Sequence, residues 1–183
     1  MCRRAGASAA GPSAYGWRRP ETWADDGGIL LGEDIVGRNL HQMELAVLSA
    51  CETGLGDVAG GEGVFGLQRA FHVAGCKNVV ASLWQVDDEA TAALMNLFYA
   101  RLWHPDPAKR LPPLEALRQA QLALYRQPEL IPQFARGEVR GPKPDKVVKI
   151  EDYAPPKAEE VKAGERKAHP RQWAAFVLSG DGR

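Results

Sequence analysis

Two continuous apolar runs constrain this chain more than any other feature: Glu44-Leu45-Ala46-Val47-Leu48-Ser49-Ala50 and Asn78-Val79-Val80-Ala81-Ser82-Leu83-Trp84. Neither alternates polar with apolar residues, so each reads as a strand buried on both faces, which requires helices above and below a sheet. Helical patterns supply them. Val64, Phe65, Leu67, Phe71 and Ala74 favour one side of a helix that Gly75 closes. Asp87, Asp88 and Glu89 cap a second helix running to Trp103, with a stripe of Ala90, Leu94, Leu97, Phe98 and Leu102. Pro112-Pro113 opens a third, carrying Leu114, Leu117, Ala120 and Leu124 on one side, and Pro128 stops it. A helical turn is expected over residues 34–40, and Trp173-Ala174-Ala175-Phe176-Val177-Leu178 reads as a closing strand. This order predicts an α/β fold with a mostly parallel sheet, and sites in such a sheet form outside the carboxyl ends of the strands.

Residues 1–24 carry neither a period-2 nor a 3.6-residue apolar pattern and read as an irregular N-terminal segment; residues 25–183 read as one domain. Within it, residues 132–172 are rich in Pro and charge and read as an exposed, partly disordered insertion, with Val147-Val148-Lys149-Ile150 its strand candidate.

Charge narrows the functional classes. Twenty-three Lys and Arg balance 23 Asp and Glu, so no net field concentrates the chain on phosphates or an anionic bilayer; nucleic acid and membrane are not expected partners. No run approaches the roughly 20 apolar residues of a spanning helix, and a cytoplasmic location is expected. Cys2, Cys51 and Cys76 are odd in number and widely spaced, which fits neither a disulfide framework nor a zinc site. No metal or cofactor is expected.

Cys51 stands at the carboxyl end of the first buried strand, followed by a loop with Gly54, Gly56, Gly60, Gly61 and Gly63 that lets backbone N–H groups approach a substrate. That is a suitable place for a nucleophile, and equally a place for a small buried hydrophobe. Glu52, Asp57 and Glu62 oppose a thiolate there. Gly54-Leu55-Gly56-Asp57-Val58-Ala59 matches a GxGxxA dinucleotide pattern, but Gly60 and Gly61 interrupt the helix that should follow, and the next acid after the following strand, Asp87, comes too late.

Several separate motifs then agree in order: Leu48-Ser49-Ala50-Cys51-Glu52-Thr53-Gly54-Leu55-Gly56; Gly61-Glu62-Gly63-Val64-Phe65-Gly66-Leu67-Gln68-Arg69-Ala70-Phe71; Ala81-Ser82-Leu83-Trp84 with Val86-Asp87-Asp88-Glu89-Ala90-Thr91; and Trp173 to Gly180. Together they resemble the CHAT domain, a caspase-like domain often found behind tetratricopeptide repeats. The resemblance implies a caspase-type α/β/α sandwich with a mostly parallel central sheet, here incomplete at its N-terminus. It implies a cysteine endopeptidase lineage using a Cys/His dyad, with Cys51 on the nucleophile, Glu52, Thr53 and Gly54 in the adjoining loop, and Trp84 and Asp87 where the primary specificity pocket is built. Their plainer roles are a core-edge aromatic and an N-cap. Implied partners are a protein or peptide substrate and tetratricopeptide-repeat regions.

The dyad histidine of the resemblance belongs to a Thr-His-Gly-like stretch upstream of the cysteine, which this chain is expected to begin too late to contain. His41, His72, His104 and His169 read instead as surface or capping residues, with His72 on the polar side of its helix. The expected product is a partial CHAT domain that keeps its nucleophile and is inactive alone. The alternative is a non-catalytic module or pseudo-peptidase that pairs with a partner chain through the sheet edge left open.

Overall fold

The structure, a computed structural model, describes residues 32–48, 63–84, 86–140, 147–153 and 167–183. The order is α1 (Gly32–Val36), β1 (Leu45–Leu48), α2 (Gly63–Val73), β2 (Asn78–Ser82), α3 (Asp88–Leu102), α4 (Pro113–Arg126), α5 (Ile131–Ala135), β3 (Glu138–Arg140), β4 (Val147–Lys149), α6 (Pro170–Trp173) and β5 (Phe176–Gly180). These elements belong to one compact unit, Gly32–Arg183.

The fold is mixed α/β. Among the described residues the main sheet has three strands in the order β1-β2-β5. β1 runs parallel to β2, with Leu48 opposite Ala81, and β5 runs antiparallel, with Phe176 opposite Ser82. This corrects the mostly parallel sheet expected for these strands: β5 enters from α6 at the carboxyl edge of β2 and so must run backwards. The two buried runs also differ. Every residue of β2 is buried, whereas only Ala46 of β1 is, because β2 is flanked by strands on both sides and β1 has one strand neighbour among the described residues.

Alternate side chains of the sheet meet different helices. Ala46 and Val79 cluster with Cys76, Leu48 and Phe71 of α2, while Val80 and Phe176 join Leu94, Leu97 and Phe98 of α3 and Leu117, Ala120 and Leu124 of α4. The α3 stripe is as expected except at its half-buried end, Leu102. On α4, Leu114 departs from the expected face and is exposed. Pro112 precedes the helix and Pro113 occupies its first turn.

Glycine is required at two corners. Gly75 closes α2 at φ +105, where a Cβ would meet the His41 ring at 2.4 Å. Gly180 ends β5 at φ +131, where a Cβ would lie 2.2 Å from the Lys77 carbonyl oxygen.

Two sequence expectations fail near the end of the chain. The closing strand starts at Phe176, not Trp173: His169 and Gln172 form a capping box and Pro170 fixes the first turn, so residues 170–173 are helical. The segment read as an exposed insertion is anchored to the core at single residues over its described part. Phe134 is fully buried, Val139 and Ile150 are nearly so, and β3 and β4 pair as an antiparallel ladder. Charge and proline masked a period too short to read: the apolar anchors come singly, between turns.

Tyr153 lies in this region. Its ring meets Phe134 edge-on at 4.9 Å and its hydroxyl donates to Gln127 Oε1. Burial pushes the phenol up to about 12, partly countered by the Arg101 guanidinium, and burial also raises Tyr99. A folded pKa above that of the unfolded chain contributes stability below pH ~10 that is lost as pH rises through 12. Phenolate absorbance should therefore show a late-ionising phase, and Tyr153→Phe should remove part of it and flatten the fall in stability between pH 10 and 12.

Candidate active site

Because β1 and β2 are parallel, their carboxyl ends share one edge, and β5 begins there too; the Leu83 N–H donates to the Ala175 carbonyl at 2.8 Å, extending the ladder one step beyond Ser82. The chain then leaves the sheet. Leu83 and Trp84 are over one-third exposed, at 38% and 36%, while Val86 is buried and anchors the turn. The expected strand thus stops at Ser82, two residues before Trp84.

Asp87 adopts φ −61 and ψ 136 and its Oδ1 accepts the Ala90 N–H at 3.0 Å. It is the α3 N-cap. Asp88 and Glu89 in the first turn complement the helix dipole. Trp84 and Asp87 both follow the carboxyl end of β2, and Trp84, Asp87, Asp88 and Glu89 are all exposed.

Cys51, Glu52, Thr53 and Gly54 lie outside the described residues, as does the GxGxxA stretch at 54–59.

All four histidines are described. His41 is exposed, before β1 and therefore toward the opposite edge. His72 is half-buried, contrary to the expectation that it faces outward; its Nδ1–H donates to the Cys76 carbonyl at 3.0 Å and its Nε2 accepts from the Ser179 hydroxyl at 2.9 Å. His104 is buried, at 7% exposure, rather than on the surface; its Nδ1 accepts the Asp106 N–H at 3.0 Å. His169 caps α6, accepting the Arg171 N–H at 3.2 Å. His72 clasps α2 to β5 at the amino end of β2, and His104 follows the end of α3 farthest from Asp87.

Burial raises the Cys76 thiol above its ordinary range, and its Sγ donates to the Asn78 carbonyl at 3.2 Å. That is the behaviour of a core cysteine. Among the described residues no three His, Cys, Asp or Glu side chains gather where a metal could be held. A cleft of about 370 Å³ between α4 and β5 is lined by apolar residues with Arg118 and Gln121, and Gln121 Nε2 donates to the Phe176 carbonyl at 2.8 Å. It holds no nucleophile and no acid–base pair.

Sequence reasoning missed Gln68, 6% exposed on α2 with its amide nitrogen buried and without a partner among the described residues. The signal was available: a polar residue one turn before His72 and three before Phe71, inside the sheet-facing arc of the helix.

The described residues make a mixed α/β unit whose parallel strands end at one shared edge, and its relation to caspase-like cysteine peptidases comes from its family. The family follows from direct comparison: the CHAT domain model matches residues 10–181, and the chain belongs to the CHAT domain family. No significant match was found among curated proteins or among solved structures. Among the described residues no helix is long and apolar enough to cross a membrane.

Proposed function

We propose that this chain carries a CHAT-type cysteine peptidase centre with Cys51 as nucleophile, and that the chain by itself does not turn over substrate. The chemistry would be acyl transfer. The thiolate attacks a peptide carbonyl, the Cys51 N–H helps hold the oxyanion, the amine leaves with a proton, and water hydrolyses the thioester. Trp84 and Asp87 form the wall of the primary specificity pocket, and Glu52, Thr53 and Gly54 the loop beside the nucleophile. The domain spans residues 25–183 of a caspase-like α/β/α sandwich; what supports this layering is the split of the sheet's side chains between α2 on one face and α3 and α4 on the other.

The observation that carries the inactivity is the disposition of the histidines. His72 has both ring nitrogens engaged, His104 is buried, and His41 approaches the opposite edge. Only His169 is near the strands' carboxyl edge by topology, and one of its ring nitrogens is spent on a helix cap. Without a base, a thiol with pKa near ~8.5 beside Glu52 stays protonated at neutral pH.

The alkylation rate of Cys51 across pH 5 to 9, with Cys2 and Cys76 as references, tests this reading. Cys51 is expected to titrate as an ordinary thiol and no peptide to be cleaved. A fast, low-pH-shifted Cys51, or cleavage abolished by Cys51→Ala, would make the isolated chain an active peptidase.

One observation favours a second reading, a non-catalytic module pairing with a partner protein or a tetratricopeptide-repeat region: β1 has a strand neighbour on one side only among the described residues. A complex that survives Cys51→Ala supports it.

A further inference from the structure

We infer that the outer edge of β5 and the cleft beside it take up an extended segment of a partner protein, one that presents an apolar side chain and, within two residues of it, a carboxylate. The ladder defines the edge. The Leu83 N–H donates to the Ala175 carbonyl and Ser82 stands opposite Phe176, so hydrogen-bonded and non-hydrogen-bonded pairs alternate from there along β5. Ala175, Val177 and Ser179 therefore turn their main-chain groups toward β2, while Phe176 and Leu178 turn theirs away from it. An independent contact agrees: the Phe176 carbonyl accepts Gln121 Nε2 of α4 at 2.8 Å. Among the described residues no strand lies beyond β5, which leaves the Phe176 N–H and both main-chain groups of Leu178 without a ladder partner.

Edges of this kind are ordinarily blunted by charge, proline or a bulge. Phe176-Val177-Leu178-Ser179-Gly180 carries no charge and no proline, and its register against β2 is unbroken. The cleft of about 370 Å³ is lined by three successive residues of this strand, Phe176, Val177 and Leu178, which places it along the main-chain edge rather than over one face. α4 forms another wall. The Leu114 N–H meets the Gly182 carbonyl at 3.4 Å and Gln121 meets Phe176, so α4 runs antiparallel to β5, with Leu117 and Arg118 between these two points. A strand added at this edge bonds to Leu178, and every second side chain of it lies on the α4 face, against Leu117 and the 53% exposed Leu114.

The charge of the lining selects the occupant. Among the residues lining the cleft Arg118 is charged and none is acidic. Arg118 Nη1 meets Glu115 Oε1 at 3.1 Å, but the pair is exposed and the same oxygen accepts Gln119 Nε2 at 3.0 Å. Such a pair contributes little, and the other N–H groups of the guanidinium can take a second carboxylate. An apolar slot with a cation at its wall complements an acidic strand and disfavours a basic one. A second copy of β5 fits less well: its nearest acid, Asp181, is three residues from Leu178 and beyond the end of the strand. This surface is the flank of the sheet opposite β1, and nothing in the inference depends on Cys51.

Amide exchange by NMR on the isotope-labelled full chain tests it. The probe is a short peptide in which leucine, threonine, glutamate and threonine repeat, so that leucine and glutamate share one face; its counterpart has lysine for glutamate. At saturation with the glutamate peptide, the Phe176 and Leu178 amides are expected to exchange at least fivefold more slowly. Affinity is expected to fall about tenfold for the lysine peptide, and likewise for Arg118→Gln, a change at an exposed side chain. Methylating one alternate set of peptide amides should abolish binding and methylating the other should not, as only one set faces β5. No protection of Leu178 by the glutamate peptide overturns the inference, and so does equal binding of the lysine peptide. Protection of Leu178 in the free chain that grows with protein concentration overturns it in favour of a second copy.

Discussion

Phe134→Ala should cost about 3–5 kcal/mol, the usual range for deleting a fully buried phenylalanine, and lower the thermal midpoint by about 10 °C for a chain of this size. The ring is fully buried, packs edge-on against Tyr153, and belongs to the same cluster as Leu94, Leu97 and Phe98. The backbone around it is held as well: Asn96 Nδ2 donates to the Phe134 and Ala135 carbonyls, each at 3.0 Å. The collapse left by alanine is limited, because α5 is fixed from both sides. Chemical denaturation measures the loss. A cost under about 1 kcal/mol would restore the exposed-insertion picture of this region, since surface truncations stay near ±0.5 kcal/mol.

Asn78→Ala is expected to cost about 3 kcal/mol, through groups left unpaired rather than through lost volume. Asn78 is fully buried at the start of β2; its Nδ2 donates to the Glu44 carbonyl at 3.2 Å and the Arg183 main-chain oxygen at 3.1 Å, and its Oδ1 accepts the Gly182 N–H at 2.8 Å. One amide thus joins the approach to β1, the start of β2 and the exit from β5. Faster exchange of the Gly182 amide should accompany the fall in denaturation midpoint. If the midpoint falls while Gly182 stays protected, the bond to Oδ1 is not what holds this corner.

Much of the helical layer was legible because its signals are redundant. In α3, Asp87 as cap, two acids in the first turn and a stripe of Ala90, Leu94, Leu97 and Phe98 all specify one helix in one orientation. α2 and α4 read nearly as well. Apolar content alone was less informative for strands: it located β1 and β2 but could not tell that one would be the half-buried neighbour of the other. Nor could it give direction. The antiparallel entry of β5 follows from α6, and four residues of helix leave no periodicity, only the His169-Pro170 start and Gln172.

The candidate site was legible in part. Trp84 and Asp87 both follow β2, and Asp87 serves as the α3 cap, a role sequence alone assigned. His72 and His104 were misread because a histidine's partners here are distant or conformational: Ser179 is 107 residues away, and Asp106 reaches His104 only through a turn. Gln68 was overlooked because a single amide on an apolar arc is easily taken for an outward residue.

The antiparallel closing strand also sets an order of assembly. β2 meets β1 after a short crossover, and α3, α4 and α5 pack as near neighbours in sequence, but β5 pairs with β2 across roughly a hundred residues, from Val79 to Ser179. Local contacts form early and distant pairings pay their loop-closure entropy late. Until β5 arrives, one flank of the most buried strand of the sheet is open to a neighbouring chain. Refolding yield should therefore fall with protein concentration more steeply than the stability of the finished fold would suggest.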